Sequence, residues 1–134
     1  MPKHMLAVGK RQLLGLELVI FRRKEFEKNG VAFTLWKCEG TPFVHINSIM
    51  RILDEFYGKI RMEHLDEILG TEKGVIIHIF REDGILAIED YNKGTLTIQI
   101  KTKDKKRLLN QIAAHDWNVM GPLYKIAGIT ELIR

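Results

Sequence analysis

The segment from Gly74 to Thr102 constrains the fold most, because it contains three apolar runs separated by two turn signals. The first run, Val75 to Arg81, is apolar on both faces, which is typical of a strand covered by helices. Asp83-Gly84 predicts a tight hairpin, because both central residues of a type I′ turn need positive φ. The segment therefore begins as two antiparallel strands, from 75 to 81 and from 85 to 90.

The third run follows the turn signal Asn92-Lys93-Gly94 and covers residues 95 to 102. Its residues alternate strictly between apolar and polar, which is typical of a strand with one face in water. The inward set is Leu96, Ile98 and Ile100, and the outward set is Thr97, Gln99 and Lys101. We therefore predict a three-stranded antiparallel meander whose apolar side needs helical cover.

Two more strands are predicted upstream of the meander. Residues 13 to 21 alternate with a period of two, and residues 31 to 38 are rich in β-branched and aromatic side chains. Asn29-Gly30 is a strong turn pair, since both residues tolerate positive φ. We expect the charged stretch from 22 to 30 to be a mobile connection between these strands.

Three helices are predicted from capping and spacing signals. Asn47 or Ser48 is expected to cap a helix with an apolar stripe from Ile49 to Phe56, and Gly58 is expected to end it. A second, short helix is expected from 62 to 69. Asp104 is expected to cap a third helix over residues 105 to 115, which places His115 near its C-terminal end. The tail, from 117 to 134, is expected to form a short edge strand and a last helical turn from 129.

The resulting element order is ββααβββα over a single domain, residues 1–134. We predict an α+β fold with one antiparallel sheet of about five strands and helices on one face. The same element order occurs in profilin-like, roadblock/longin-like and PAS-like folds. This analogy rests on order alone, and a fold does not define a function.

Composition points to the cellular setting. One cysteine, Cys38, excludes an intrachain disulfide and suits a reducing compartment. No apolar stretch approaches the ~20 residues of a membrane span, so we predict a cytoplasmic protein with no membrane partner. The chain has one serine and many Lys and Glu residues, which favours a thermophilic source.

One short segment resembles a known enzyme family. His78-Ile-Phe80-Arg-Glu82-Asp-Gly84 is similar to the H-x-W-x-E-x-G segment of bacterial S-adenosylmethionine decarboxylases. Those enzymes form a pyruvoyl group by self-cleavage at a serine a few residues before that histidine. No serine lies between Thr71 and Ile77 in this chain, so decarboxylation by that route is excluded. The resemblance therefore implies a relation of fold alone.

No catalytic set or metal motif is recognised in the sequence. The spacing of metal ligands is absent among His4, His45, His64, His78 and Cys38. A thiol activated by His45 is one interpretation of Cys38, and a small buried hydrophobe at a strand end is the other. We assign no catalytic residue, no metal and no cofactor.

Three functional hypotheses remain. The first is a non-enzymatic binding or regulatory domain that engages a protein partner, or a second copy of itself, through its sheet face and edge strands. The second is a small-ligand sensor with a pocket between sheet and helices, lined by Trp36, His78 and Phe80.

The third hypothesis is nucleic-acid binding through a basic cluster. The formal net charge is +4, and the excess lies in Arg22-Arg23-Lys24 and in the stretch from 101 to 107. The predicted contact residues are Lys101, Lys103, Lys105, Lys106 and Arg107. Single-strand binders usually add aromatic side chains that stack on bases, and Tyr91 is the aromatic residue nearest this cluster.

Overall fold

The computed structural model describes residues 15–58, 75–81, 84–90 and 96–133. The elements, in chain order, are β1 Glu17–Lys28, β2 Val31–Cys38, α1 Ile46–Tyr57, β3 Val75–Arg81, β4 Gly84–Asp90, β5 Leu96–Thr102, α2 Lys105–Ala127 and α3 Thr130–Ile133. The strands pair antiparallel in the order β2-β1-β5-β4-β3. The predicted α+β class with a single antiparallel sheet is confirmed. The predicted helix from 62 to 69 and the turn residues at 83 and 92–94 lie outside the described residues.

The β1–β2 hairpin is longer than the sequence predicts. Asn29 and Gly30 have φ of 53° and 78°, and Lys28 lies directly opposite Val31, so the predicted turn is confirmed. Two positive φ values suit the right-handed twist of the strands that flank a two-residue turn. The pairing then continues without a gap back to Phe21. The expectation of a mobile connection from 22 to 28 is wrong, because these charged residues form β1.

The hydrophobic core lies between α1, α2 and one face of the sheet, which we call the helical face. Its buried members are Val19, Phe21, Trp36, Cys38, Val44, Ile49, Met50, Ile52, Leu53, Ile98, Ile100, Leu108 and Ile112. The predicted inward direction of Ile98 and Ile100 is confirmed. Thr97 was expected to face water, yet it is 4% exposed. Its strand neighbours, Arg22 on β1 and Glu89 on β4, lie on both sides of it.

A second cluster lies on the other side of β2. Leu35 and Trp36 point to opposite faces because they are consecutive in a strand, yet both are 2% exposed. Leu35 packs with Tyr124, Ile129 and Ile133. Tyr124, Ile129 and Ile133 therefore cover the face of β2 that is opposite the helical face. The helical segments thus do not all lie on one face of the sheet.

Helix α1 begins at a different cap from the one predicted. His45 is the N-cap residue, and its Nδ1 accepts a hydrogen bond from the Asn47 N–H at 3.1 Å. The expectation of a cap at Asn47 or Ser48 is wrong, because the Ser48 hydroxyl bonds Asp116 instead. The predicted end at Gly58 is confirmed, with φ of 86°.

Helix α2 is twice as long as the prediction. Its N-cap is Asp104, as predicted, and the carboxylate accepts from the Arg107 N–H at 3.1 Å. The helix continues past His115 through Gly121 and Pro122 to residue 127, so the expected edge strand is wrong. A proline inside a helix costs about 3 kcal/mol, and burial of Tyr124 in the second cluster offsets part of that cost.

The chain then makes its last helical turn, α3, as predicted. None of the helices within the described ranges has the length and apolar character that a membrane crossing requires.

Candidate functional site

A basic cleft lies on the outer face of the sheet, the face opposite α1. Its volume is about 670 Å³, and it is lined by Leu18, Ile20, Arg22, Arg23, Lys24, Lys37, Cys38, Glu39, Phe43 and Lys105. Five of these residues are cations and one is a carboxylate. The cleft therefore focuses a positive potential on whatever enters it.

The hairpin register explains why these cations meet. Arg22 lies directly opposite Lys37, and Lys24 lies opposite Leu35. Side chains that are directly opposite in an antiparallel pair share one face, so Arg22, Lys24 and Lys37 project to the same side. On the other edge of β1, Lys101 lies opposite Leu18, which brings β5 to the border of the cleft.

Two connecting segments complete the walls. The loop after β2 returns along its edge, where Trp36 and Val44 exchange backbone hydrogen bonds of 2.8 Å in both directions. That bridge holds Phe43 against the cleft. Lys105, in the first turn of α2, also lines the cleft. The hairpin pairing and the Trp36–Val44 bridge thus bring β1, β2 and Phe43 together at the cleft.

Two aromatic rings hold two of the lysines. The Lys37 Nζ lies 5.0 Å from the centroid of the Phe43 ring, and the Lys24 Nζ lies 5.4 Å from that of Phe26. The two rings meet edge to face, with centroids 5.0 Å apart and an interplanar angle of 89°. Cation–π attraction thus keeps both ammonium groups beside ring faces without neutralising their charge.

Among the described residues that line the cleft, Glu39 is the one carboxylate against five cations. Within the described part of the chain, the salt bridge that forms joins Arg51 and Glu55 on α1, at 3.9 Å. No described carboxylate pairs with Arg22, Lys37 or Lys105. Like charges held close together repel, and an entering anion relieves that repulsion. The arrangement therefore suits a ligand with phosphate groups, which accept charge-assisted hydrogen bonds from lysine and arginine.

The structure divides the basic cluster that the sequence predicts. Lys105 lines the basic cleft, and Lys101 borders it. Lys103 and Arg107 line a different cleft of about 270 Å³ that also contains acidic side chains. There the Arg107 guanidinium lies 5.2 Å from the centroid of the Phe56 ring. Lys106 is exposed on α2.

Sequence reasoning missed Arg22, Lys24 and Lys37 as members of one site. The interpretation of residues 22 to 30 as a connection hid their strand alternation. The available signal was the two-residue turn at Asn29-Gly30, because such a turn fixes the register of both strands. Continuing that register places Arg22 against Lys37.

The predicted small-ligand residues lie in two different settings. Trp36 is 2% exposed and belongs to the main core, and it does not line the clefts described above. His78 and Phe80 lie on β3, opposite Ala87 and Ile85, and their side chains lie outside the described part of the structure. A pocket lined by His78 and Phe80 stays a prediction.

A buried polar cluster joins α1 to α2. Asp116 is 2% exposed, and its carboxylate accepts hydrogen bonds from the His45 N–H at 2.9 Å, the Ser48 hydroxyl at 2.8 Å and the Tyr124 hydroxyl at 2.7 Å. The His115 Nδ1 lies 3.3 Å from the Ser48 Oγ. In a hydrolytic triad the carboxylate orients the histidine, whereas here it bonds the serine, which is 1% exposed. The cluster is therefore structural.

This cluster perturbs one ionisable group. Burial, and then the hydrogen bond to the Asp116 carboxylate, raise the pKa of Tyr124 well above its usual value of 10.0. Both causes favour the neutral phenol, because a phenolate next to a buried carboxylate would be a second unpaired negative charge. The phenol therefore stays a hydrogen-bond donor over the ordinary pH range.

Among the residues that the structure describes, no group of three or more His, Cys, Asp or Glu side chains is arranged to hold a metal ion. Comparison of the chain with family models, curated proteins and solved structures gave no match. The resemblance of the 78–84 segment to the decarboxylases and the fold analogies therefore stay predictions.

Proposed function

We propose that this protein is a non-enzymatic binding domain whose basic cleft holds single-stranded nucleic acid. One observation carries the proposal. Arg22, Lys37 and Lys105 come from three separate stretches of the sequence and line one cleft with a single carboxylate, Glu39. Such convergence of unpaired cations is typical of a surface that tracks a phosphate backbone.

The apolar part of the lining favours a single strand over a duplex. Leu18 is 43% exposed, and Ile20 and Phe43 lie beside the cations. The flat faces of unpaired bases pack against such side chains, whereas duplex bases are stacked and hidden. Proteins read a duplex with an element that enters a groove, and a concave cleft has no such element.

The outer face of the sheet suits nucleic-acid binding better than the sheet edge at β2 does. Part of that edge is already paired, because Trp36 and Val44 exchange hydrogen bonds there. The other edge of the described sheet is β3. A protein partner that adds a strand to β3 is therefore the second candidate function, and it keeps the binding role without nucleic acid.

The complete architecture is part of the same proposal. We infer that residues 1–134 form a single domain with the order ββααβββα and five strands. The described strand order β2-β1-β5-β4-β3 supports it. In this order β1 lies beside β5, the middle strand of the sheet. A nucleic-acid strand bound on the outer face of β1 would therefore cross several β-strands.

The test is binding of a labelled oligonucleotide of about 12 nucleotides, measured by fluorescence anisotropy over a salt series. The variant Arg22→Ala with Lys37→Ala removes two cleft cations. We expect about 100-fold or greater loss of affinity, because the variant removes two charge-assisted hydrogen bonds of about 1.5–3 kcal/mol each. The slope of log affinity against log salt should fall by about 1.4, since each phosphate contact of a single strand contributes about 0.7.

The matched control is Arg51→Ala with Lys125→Ala, which removes one arginine and one lysine from exposed positions on α1 and α2. We expect its affinity and salt slope to stay close to those of the wild type. Equal losses in both double variants would mean a net-charge effect and would contradict a defined site. Tighter binding of an acidic peptide than of the oligonucleotide would favour a protein partner.

A further inference from the structure

An apolar patch lies on α2 about 30 Å along the helix from Lys105 and the basic cleft. Ile126 is 84% exposed, and Leu123 and Val119 are each 54% exposed. Their spacing of four and then three residues puts them on one side of the helix, as in the seam of a coiled coil. Val31, at the start of β2, is 52% exposed and lines the same cleft as Leu123 and Ile126.

The same patch contains a concave surface. A cleft of about 500 Å³ lies between the end of the β1–β2 hairpin and α2, and its apolar lining includes Val31, Phe33, Met120, Leu123 and Ile126. Apart from His45, Lys28 is the one basic residue of this lining, and the lining includes no Asp or Glu. The Lys28 Nζ already donates to the Gly128 carbonyl at 2.7 Å. The patch therefore has both a projecting and a receiving part, with little free charge.

We propose that two copies of this chain associate through this apolar patch, with Ile126 of each copy entering the cleft of the other. A two-fold symmetric interface needs one surface that complements itself. This patch meets that need, because Ile126 and the cleft beside it are neighbours on one surface. A contact of this kind closes after two copies and does not continue into a fibre.

The distribution of charge favours a second copy over a charged partner. The chain has a formal net charge of +4, so two copies repel each other over most approaches. From residue 114 to 127, however, Lys125 is the one exposed charged residue of α2. An acidic partner would find little to bind there, whereas a second uncharged apolar patch buries both surfaces.

The size of the patch sets the strength of association. Four aliphatic side chains with these exposures present on the order of 400 Å², which is within the range of apolar patches that mark interaction sites. A standard stable interface buries about 800 Å² per partner. We therefore expect a weak dimer that forms at tens to hundreds of micromolar protein and leaves both basic cleft surfaces accessible.

The test is sedimentation equilibrium of the full chain from about 5 to about 500 µM. The average mass should rise from near 15.5 kDa towards twice that value. Ile126→Glu should abolish the rise, and Leu123→Glu should do the same. Asn110→Glu adds the same charge at another exposed position of α2 and should associate like the wild type. Thermal melts check that each variant is folded.

A second measurement tests the geometry. In a Cys38→Ser background, a mixture of Val31→Cys and Ile126→Cys copies under oxidised glutathione should give a crosslinked pair of the two variants. A wild type that stays monomeric throughout overturns the proposal, and binding of a fatty-acid probe by that monomer would assign the cleft to a ligand. Masses beyond the dimer, or dimers that Ile126→Glu leaves intact, also overturn it.

Discussion

Replacement of Asp116 by alanine is expected to be the most destabilising single polar change among the described residues. The carboxylate is 2% exposed and accepts from His45, Ser48 and Tyr124. Its removal takes away the acceptor that these three donors share between α1 and α2. Each buried unsatisfied donor costs about 1–3 kcal/mol, and the two hydroxyls recover part of this by rotating. We expect the free energy of unfolding to fall by about 4 kcal/mol.

A graded series separates the hydrogen bonds from the loss of volume. Asp116→Asn keeps an oxygen that accepts from His45 and Ser48, so we expect a loss of about 1–2 kcal/mol. Ser48→Ala removes one hydrogen bond to a charged acceptor and should cost about 1.5–3 kcal/mol. In the Asp116→Ala background, Ser48→Ala should cost much less, because its partner is already gone.

Urea unfolding followed by tryptophan fluorescence measures these changes, since Trp36 is buried in the core. The control is Asp104→Ala, which removes an exposed carboxylate that also accepts one backbone hydrogen bond. That N-cap loss should cost about 1 kcal/mol. An Asp116→Ala loss no larger than the control, or equal losses for the alanine and asparagine variants, would refute the structural role of the cluster.

Two further predictions concern pH and the hairpin turn. Burial and the Asp116 carboxylate raise the pKa of Tyr124 above 10.0, so the folded chain keeps a proton that the unfolded chain releases. This contribution to stability is complete below pH 10 and falls as the pH rises further. In urea unfolding between pH 9.5 and 11.5, the wild type should therefore lose stability faster than Tyr124→Phe. Parallel curves of stability against pH for the two proteins would contradict this prediction. Gly30 has φ of 78°, so Gly30→Val should cost about 1–2 kcal/mol, because a β-branched residue is strained there. A thermal melt unchanged by Gly30→Val would contradict the positive φ of Gly30 in this turn.

Local signals predicted several elements well. The bounds of β2 match the prediction, and so do the Asn29-Gly30 turn, the end of α1 at Gly58 and the Asp104 cap. Each depends on the conformational preference of one or two residues or on alternation within one segment. Such preferences act over a few residues and need no knowledge of the partner segments.

The errors arose where distant partners outweigh local preference. Gly121 and Pro122 are breaker signals, yet α2 continues through them, because Tyr124 beyond them is buried against Leu35 and bonds Asp116. Ser48 is a good capping residue, but it bonds Asp116, which is 68 residues away. His45 then takes the capping role. The stretch from 22 to 28 has no apolar run to mark it as strand, and its pairing with β2 makes it one.

The sequence by itself determined the α+β class, the Asn29-Gly30 turn and the excess of positive charge, because composition and backbone preference are properties of short segments. Only the tertiary structure decided that Arg22, Lys37 and Lys105 line one cleft while Lys103 and Arg107 line another. The reason is physical: which face a charged strand residue occupies depends on strand register, and register is fixed by pairing between segments.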